Sequence, residues 1–528
     1  MSTTLPPRYL VFDLSESDKF SSDVQRQHKK YSGIGVTPSG YFGVVLGITM
    51  IFGFFIRSGT GDYPMFRDEL SSMVFASQPM SRLWSWWMIR ETNPPLFYSM
   101  LRGWLALGAH SVTEIRLLPN IGGVIAIGLV GAFCARVSGA WAGVVGALLA
   151  TVSAEHVWYS QYIRGYIFES DGVLVSMLGL LAWLDGGRHA RLGLAAYVLG
   201  AAFGFYCHVT LAVWPVAAGV AVLIVHRRAL IVNRGIKAME FISANLALAL
   251  LCAWWLWIAA HQLSSDNIDH IRSLSVEDHL RMVWHNTILI RDVPPHTRVL
   301  RYVLTLLIAM GAGLLVRGKP GRTLVIAWVL SIALLHGAEA IHPIVKNWVL
   351  FWLTNFSILA LATLAAALRG KAARAGFAVV LVAVLGWNLA EKLPNFWWED
   401  WRTVITTLRR DPRAIMLVEQ QQRGMHANWA CKVELQVEHC PLPIAVMDSQ
   451  DQTYGWSREF MDRPLLRRPA LDALLLRYRR VYVVDYGGPD PLVTLGVIPP
   501  HPCCVGFVRG PFSPQALLSG RPLAGNQR

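Results

Sequence analysis

Charge is scarce in this chain. Asp, Glu, Lys and Arg make up only 16% of its 528 residues, against about 25% in an ordinary soluble domain. Together with a hydrophobic share of 54%, that shortfall excludes a soluble globular enzyme. Acidic residues are the scarcer sign, 34 against 48 Lys and Arg, for a net charge of +14. No P-loop, internal repeat or low-complexity tract is present, and no Cys/His spacing of the zinc type. The missing repeat argues against a transporter built from two related halves. The basic excess forms no patch on a soluble module, so nucleic-acid binding is excluded.

What the chain has instead is long apolar runs. They read as Ser39–Ile56, Leu117–Ala135, Gly139–Ser153, Gly165–Leu184, Leu192–Tyr206, Thr210–Val225, Phe241–Ala260, Tyr302–Val316, Thr323–Leu335, Trp348–Leu368 and Gly376–Leu389. This is the pattern of a polytopic α-helical membrane protein with about eleven spans. Leu192–Val225 is too long for one span and is divided at Tyr206-Cys207-His208. Residues 1–38 read as a cytoplasmic tail, polar and basic near Lys29-Lys30, before an uncleaved first anchor.

Pro94–Leu107 decides the sidedness. If it does not cross, the basic loops at Arg136, Arg188/Arg191, His226–Lys237, Arg317–Arg322 and Arg369–Arg374 share the cytoplasmic side with Lys29-Lys30. The positive-inside rule therefore makes Pro94–Leu107 interfacial or re-entrant. Residues 39–392 become the membrane domain, with residues 57–116 as its first outer loop. Ala154–Arg164, Gln262–Arg301, Gly337–Asn347 and the tail then lie outside.

Residues 393–528 read as a C-terminal extracytoplasmic α/β domain. Ala414–Val418, Ile444–Met447 and Val481–Val484 are β-rich runs, and Leu471–Tyr478 reads as a helix. Cys431, Cys440, Cys503 and Cys504 fit disulfides in that compartment, with Cys431–Cys440 the favoured pair; free buried thiols are the alternative.

The chemistry-bearing residues gather on the outer side. Asp68-Glu69 follows the first span; such acids are commonly solvated, yet a carboxylate suits a base acting on a hydroxyl. Asp171 lies seven residues after Arg164 near the outer end of a span, where an ionisable group is costly and marks either a site or a helix start. Glu169 reads as helix-start chemistry. Arg164, Arg116 and Lys346 are candidate phosphate contacts, since a leaving phosphate needs cations; snorkelling is the competing reading. His208 at an outer turn reads as a polar cap or groove residue. The acidic and histidine-rich stretch Asp266–His296 reads as an amphipathic lid, with a divalent metal left open. Trp84-Ser85-Trp86-Trp87 and Trp254-Trp255-Leu256-Trp257 read as interfacial belts or packing.

Six motifs carry a resemblance. They are Phe66-Arg67-Asp68-Glu69, Asn93-Pro94-Pro95-Leu96-Phe97-Tyr98, Arg116-Leu117-Leu118-Pro119, Tyr159-Ser160-Gln161-Tyr162-Ile163-Arg164-Gly165-Tyr166 and Ser170-Asp171-Gly172, followed later by Trp401-Arg402. The chain resembles the bacterial GT-C-fold glycosyltransferases related to protein O-mannosyltransferases and lipid A aminoarabinose transferases. The likeness is good from Tyr41 to about Leu184 and loose beyond.

The resemblance implies a polyprenyl-phosphate-linked sugar donor, inversion at the sugar, and a lipid, glycan or protein hydroxyl as acceptor at the periplasmic face of an inner membrane. It implies Asp68 as the base or as a residue that orients the acceptor, Asp171 as a second site acid, and Arg164 and Lys346 as phosphate contacts; Glu69 beside Asp68 is a further catalytic candidate and Arg116 a further phosphate contact. Asn93, Pro94, Pro95, Tyr98, Tyr166 and His208 would line the substrate groove. Asn93 stands where the family often has His or Lys, and Lys346-Asn347-Trp348 where it commonly has Arg-Tyr. A transporter or flippase of a lipid-linked or anionic substrate is the alternative, and an assembly partner in the envelope a third reading.

Overall fold

The computed structural model describes residues 40–59, 62–231, 235–262, 275–290, 298–341, 345–393, 401–418 and 421–447, and, beyond these, 459–460, 465–466, 477–478, 480–485 and 505–509. Met1–Val44 and Val45–Arg528 are separate units. Of the first, only the opening of one helix is described.

That helix, α1 (Gly40–Ser58), leads to a loop carrying α2 (Arg67–Ala76) and α3 (Leu96–Ala106). Next come α4 (Val112–Ser138), the pair α5 (Ala140–Val152) and α6 (Ala154–Gln161), α7 (Tyr166–Asp185), α8 (Ala190–Cys207), α9 (Val213–Ile231) and α10 (Ile236–Gln262). A short α11 (Val276–Thr287) precedes α12 (Arg298–Leu315), α13 (Lys319–Ile341), α14 (Thr354–Ala367) and α15 (Lys371–Lys392). Ten helices among the described residues are long and apolar enough to cross a bilayer, or eleven with the α5–α6 pair as one bent span. The sequence reading of about eleven spans agrees.

Local chemistry explains the breaks. The α8–α9 division falls where expected: His208 is extended (φ −157°, ψ 124°), and a 3-10 turn at Val209–Ala212 restarts the chain. The segment read as interfacial holds α3, 11 residues long. At about 1.5 Å per residue it reaches only half of a ~30 Å hydrocarbon core. One expectation differs. Gly139–Ser153 reads from sequence as a plain span, but after Val152 the chain turns through 60° at Ser153, which is extended (φ −68°, ψ 122°), and continues as α6. The Gln161 amide holds α6 to α1 by donating to the Arg57 carbonyl at 2.7 Å.

The centre of the bundle lies at α7 and α14. Their spanning windows are 78% and 89% buried, against 22% for α12. Every residue from Ser153 to Leu174 is buried. The α7–α8 contact is backbone on backbone: a Cβ on Gly172 would sit 2.6 Å from Gly204 Cα. Small residues permit this approach, the usual means of packing helices where lipid supplies no hydrophobic drive.

Beyond α16 (Trp401–Arg410), a parallel sheet has the order β3-β2-β1-β4-β5, formed by β1 (Ala414–Val418), β2 (Ile444–Met447), β3 (Leu465–Leu466), β4 (Arg480–Asp485) and β5 (Val505–Arg509). The three strands read from sequence are β1, β2 and the core of β4. Met416 registers with Ile444 on one side and Tyr482 on the other. Between β1 and β2 runs α17 (Gln421–Leu435), tied by the Cys431–Cys440 disulfide. The boundary at 392/393 adjoins residues 394–400. Those residues, the tail 1–38, Cys503, Cys504 and most of the helix read at Leu471–Tyr478 lie outside the described residues.

Candidate active site

Asp68 and Glu69 occupy the first turn of α2, where carboxylates complement the helix N-terminus. Their environments diverge at once. Glu69 is fully buried and saturated. It accepts from the Phe66 amide (2.8 Å), the Ile163 amide (3.0 Å) and Arg116 Nη2 (2.8 Å), with Arg116 Nε at 3.4 Å. Arg116, equally buried, also donates to the carbonyls of Tyr63 (2.5 Å) and Pro64 (3.2 Å). This ion pair staples the first loop, the start of α4 and the 162–164 segment together.

Asp68 is only half-buried. Its Oδ2 accepts from the Tyr162 hydroxyl at 3.1 Å. Burial, then the Asp68 charge, holds that phenol well above its usual range, so Tyr162 remains a donor. The Tyr162 ring stacks on Tyr166 (6.0 Å, 11°), and Tyr166 packs on the His208 ring at 5.1 Å.

Arg164 is 8% exposed. Its Nη1 donates to the Tyr98 hydroxyl at 2.8 Å and lies 3.8 Å from Glu91 Oε1. Its Nε is buried and meets no acceptor among the described residues. Tyr98 in turn donates to Glu91 at 3.0 Å; burial, then Glu91, keeps the phenol neutral. Glu91 also accepts from the Asn93 amide nitrogen (3.1 Å) and Nδ2 (2.6 Å). The Asn93-Pro94-Pro95 motif thus builds the seat of an acid, with Pro94 and Pro95 buried and α3 starting at once behind them. Gln262 closes the seat by donating to the Glu91 carbonyl at 2.6 Å.

Other expected residues stand apart. Asp171 is buried in α7, and its Oδ1 bonds to no described residue. Nothing joins it to Asp68 or Arg164. Glu169, two residues earlier, is instead linked to His208 through Thr210. Lys346 precedes the 3-10 turn Asn347–Leu353, half-buried and without an ion pair to any described residue. Among the described residues no group of three or more His, Cys, Asp or Glu is arranged to hold a metal; Asp266, Asp269, His270 and Asp292 of the proposed lid lie outside them. The two tryptophan clusters meet, Trp84 on Trp254 at 5.6 Å and Trp86 on Trp257 at 4.5 Å. A cavity of about 720 Å³ between α8 and α10 opens near Arg191 and Glu240, at the end of α8 remote from His208.

Three residues escaped the sequence reading. Tyr162 lay inside a quoted motif, and its helical neighbours masked its role. Glu91 stood two residues before the Asn-Pro-Pro motif, a signal that was readable. His426 gave none. It projects from α17 with Nε2 2.9 Å from Ser71 Oγ, one turn beyond Asp68 on α2. Burial pushes its imidazole down to about 3.

The fold has known counterparts. The crystal structure of ArnT from Cupriavidus metallidurans in the apo state superposes with a TM-score of 0.56 at 11% identity, covering 87% of this chain and 94% of that one. The same protein bound to undecaprenyl phosphate gives 0.53 at 11% identity, covering 87% and 95%. The chain has the GT-C membrane fold. A looser likeness, TM-score 0.43 at 15% identity, reaches the Archaeoglobus fulgidus oligosaccharyltransferase in complex with Zn and sulfate, over 74% of this chain and 61% of that one. No protein-family model and no curated protein matches the sequence. At 11% identity the ArnT likeness establishes the GT-C fold and nothing about residues.

Proposed function

We propose that this GT-C protein is an inverting glycosyltransferase that moves a sugar from a polyprenyl-phosphate donor to a hydroxyl acceptor at the outer face of the membrane. The observation that carries the reading is a half-buried carboxylate, Asp68, held by Tyr162, and two residues along the same segment a buried guanidinium, Arg164, whose Nε has no partner among the described residues. A buried donor left unsatisfied calls for an acceptor, and a phosphate oxygen is one that guanidinium suits. The ArnT counterpart, of the same fold, is bound to undecaprenyl phosphate.

Asp68 serves as base, taking the proton of the acceptor hydroxyl as it attacks the anomeric carbon, while Tyr162 orients the carboxylate. Arg164, seated by Tyr98 and Glu91, stabilises the charge growing on the departing phosphate. Glu69 and Arg116, first expected to be catalytic and phosphate-binding, are assigned to scaffolding because each is spent on the other. Lys346 remains a second phosphate cation on this reading, and Asp171 has no assigned step. The acceptor is a lipid, glycan or protein hydroxyl. Residues 1–38 face the cytoplasm of a bacterial inner membrane, and residues 393–528 form an extracytoplasmic domain. In support, the tail packs on the first loop: Arg402 bridges Asp62 and Glu434, and Glu459 bridges Arg82 and Arg90.

The division of labour is testable with purified protein in detergent. Arg164→Ala should weaken binding of undecaprenyl phosphate by about tenfold or more, the loss of a charged hydrogen-bond donor. Asp68→Asn should leave that binding intact and abolish turnover. The reverse pattern would overturn both assignments. Movement of the lipid across a bilayer without sugar transfer would move the reading to a flippase.

A further inference from the structure

We infer that His208 is a sugar-binding residue: its Nε2 accepts a hydrogen bond from a hydroxyl of the transferred sugar, and Glu169 and Thr210 are positioning residues that hold it in the accepting form. The inference rests on the transferase reading and deepens it.

For an ionised Glu169 and a neutral imidazole, proton counting gives one tautomer. Thr210 Oγ1 lies 3.0 Å from Glu169 Oε1 and 2.6 Å from His208 Nδ1, with His208 Nδ1 3.6 Å from the same carboxylate oxygen. A hydroxyl carries one proton, and a carboxylate none. Thr210 therefore donates to Glu169, and His208 donates from Nδ1 to Thr210. A neutral imidazole has a single N–H, so Nε2 is left with a lone pair.

That lone pair is at the right place. Among the described residues no donor meets it, yet it is not sealed in: the occluded atoms without partners include Glu169 Oε2 and Asp171 Oδ1 but not His208 Nε2. The ring packs on Tyr166, which stacks on Tyr162 beside Asp68. Gly165 fixes the approach, since a Cβ there would lie 2.4 Å from the Cys207 carbonyl oxygen. So His208 is pressed against the segment that carries Arg164.

The chemistry selects the ligand. A lone pair repels phosphate oxygens, which belong to the Arg164 side. It binds a hydroxyl or amine, the groups a sugar presents beyond its phosphate. The cost of the arrangement also needs a reason. Glu169 is fully buried in a spanning helix, one of its oxygens without a partner. Intramembrane carboxylates are expensive, and orienting a histidine through its other nitrogen is a recurrent use for one.

The experiment compares binding of two probes to purified full-length protein: bare undecaprenyl phosphate, and undecaprenyl phosphate carrying glucose or arabinose. His208→Phe should weaken the sugar-bearing lipid by about 5–10-fold, the worth of one hydrogen bond. It should leave the bare lipid unchanged, which also reports correct folding. His208→Gln, which restores an acceptor near the Nε2 position, should recover most of the loss. Glu169→Ala and Thr210→Val should mimic His208→Phe, while Glu169→Gln keeps the acceptor for Thr210 and stays near wild type. Equal binding of the sugar lipid by His208→Phe and wild type, or equal losses for both lipids, overturns the inference alone. Wild-type protein that binds neither lipid overturns the transferase reading beneath it.

Discussion

Asp68 and Glu69 share a peptide bond and almost nothing else. The pair was legible as an acidic motif, but sequence carries no mark of which acid the fold consumes. Glu69 meets two backbone amides and a guanidinium in full burial, whereas Asp68 keeps one oxygen on a tyrosine hydroxyl and the other side open. Substitutions should separate them. Asp68→Asn should cut turnover by about 10²–10⁴-fold, the usual worth of a general base, with an unchanged melting temperature. Glu69→Gln leaves Arg116 buried without its counter-charge and should cost about 3–5 kcal/mol of stability, seen as loss of folded protein before any kinetic effect. His426 supplies a pH test. Its imidazole is held near 3 when folded, against about 6.5 when unfolded. Below that unfolded value the unfolded chain takes up a proton that the folded chain refuses, so this group's contribution favours folding above about pH 6.5 and is lost as pH falls toward 3. Thermal unfolding at pH 7 and pH 5 should show a larger drop for wild type than for His426→Gln. An identical drop would contradict the buried neutral histidine.

Helices were the easiest elements to read, because an apolar run of spanning length has one outcome in lipid. The division at Tyr206–His208 was readable from length alone. The bend at Ser153 was not: Gly139–Ser153 looks like any short span, and the direction of α6 is set by tertiary bonds such as Gln161 to the Arg57 carbonyl. Asp171 shows the same limit. A seven-residue spacing would put Arg164 and Asp171 on one face of a continuous helix, but Arg164 precedes α7 and the helix begins only at Tyr166, so the spacing does not apply. Packing of α7 on α8 gives a prediction at this scale. Gly172→Val would drive a side chain into Gly204 and the Gly200 carbonyl, backbone that cannot yield, and should abolish recovery of monodisperse protein. Gly103→Ala on α3, where nothing lies within 4 Å, should be neutral or slightly stabilising, since alanine is the better helix former by about 1 kcal/mol.

For the molecule as a whole, hydropathy and motif order pointed to the GT-C fold, and its agreement with ArnT over 87% of the chain bears that out. The tail's strands were visible as β-rich runs. Its packing on the first loop through Arg402, Glu459 and His426 was not, because those pairs are separated by more than 300 residues. That packing places the tail beside the Asp68 helix, and the disulfide ties the end of the helix that carries His426. The account stands on one claim, that Asp68 activates a hydroxyl against a sugar held on a lipid phosphate. The most direct measurement is release or transfer of sugar from polyprenyl-phosphate donors by the purified protein, beside Asp68→Asn. The account predicts turnover with inversion for wild type and donor binding without turnover for the variant. Undiminished turnover by Asp68→Asn would contradict it.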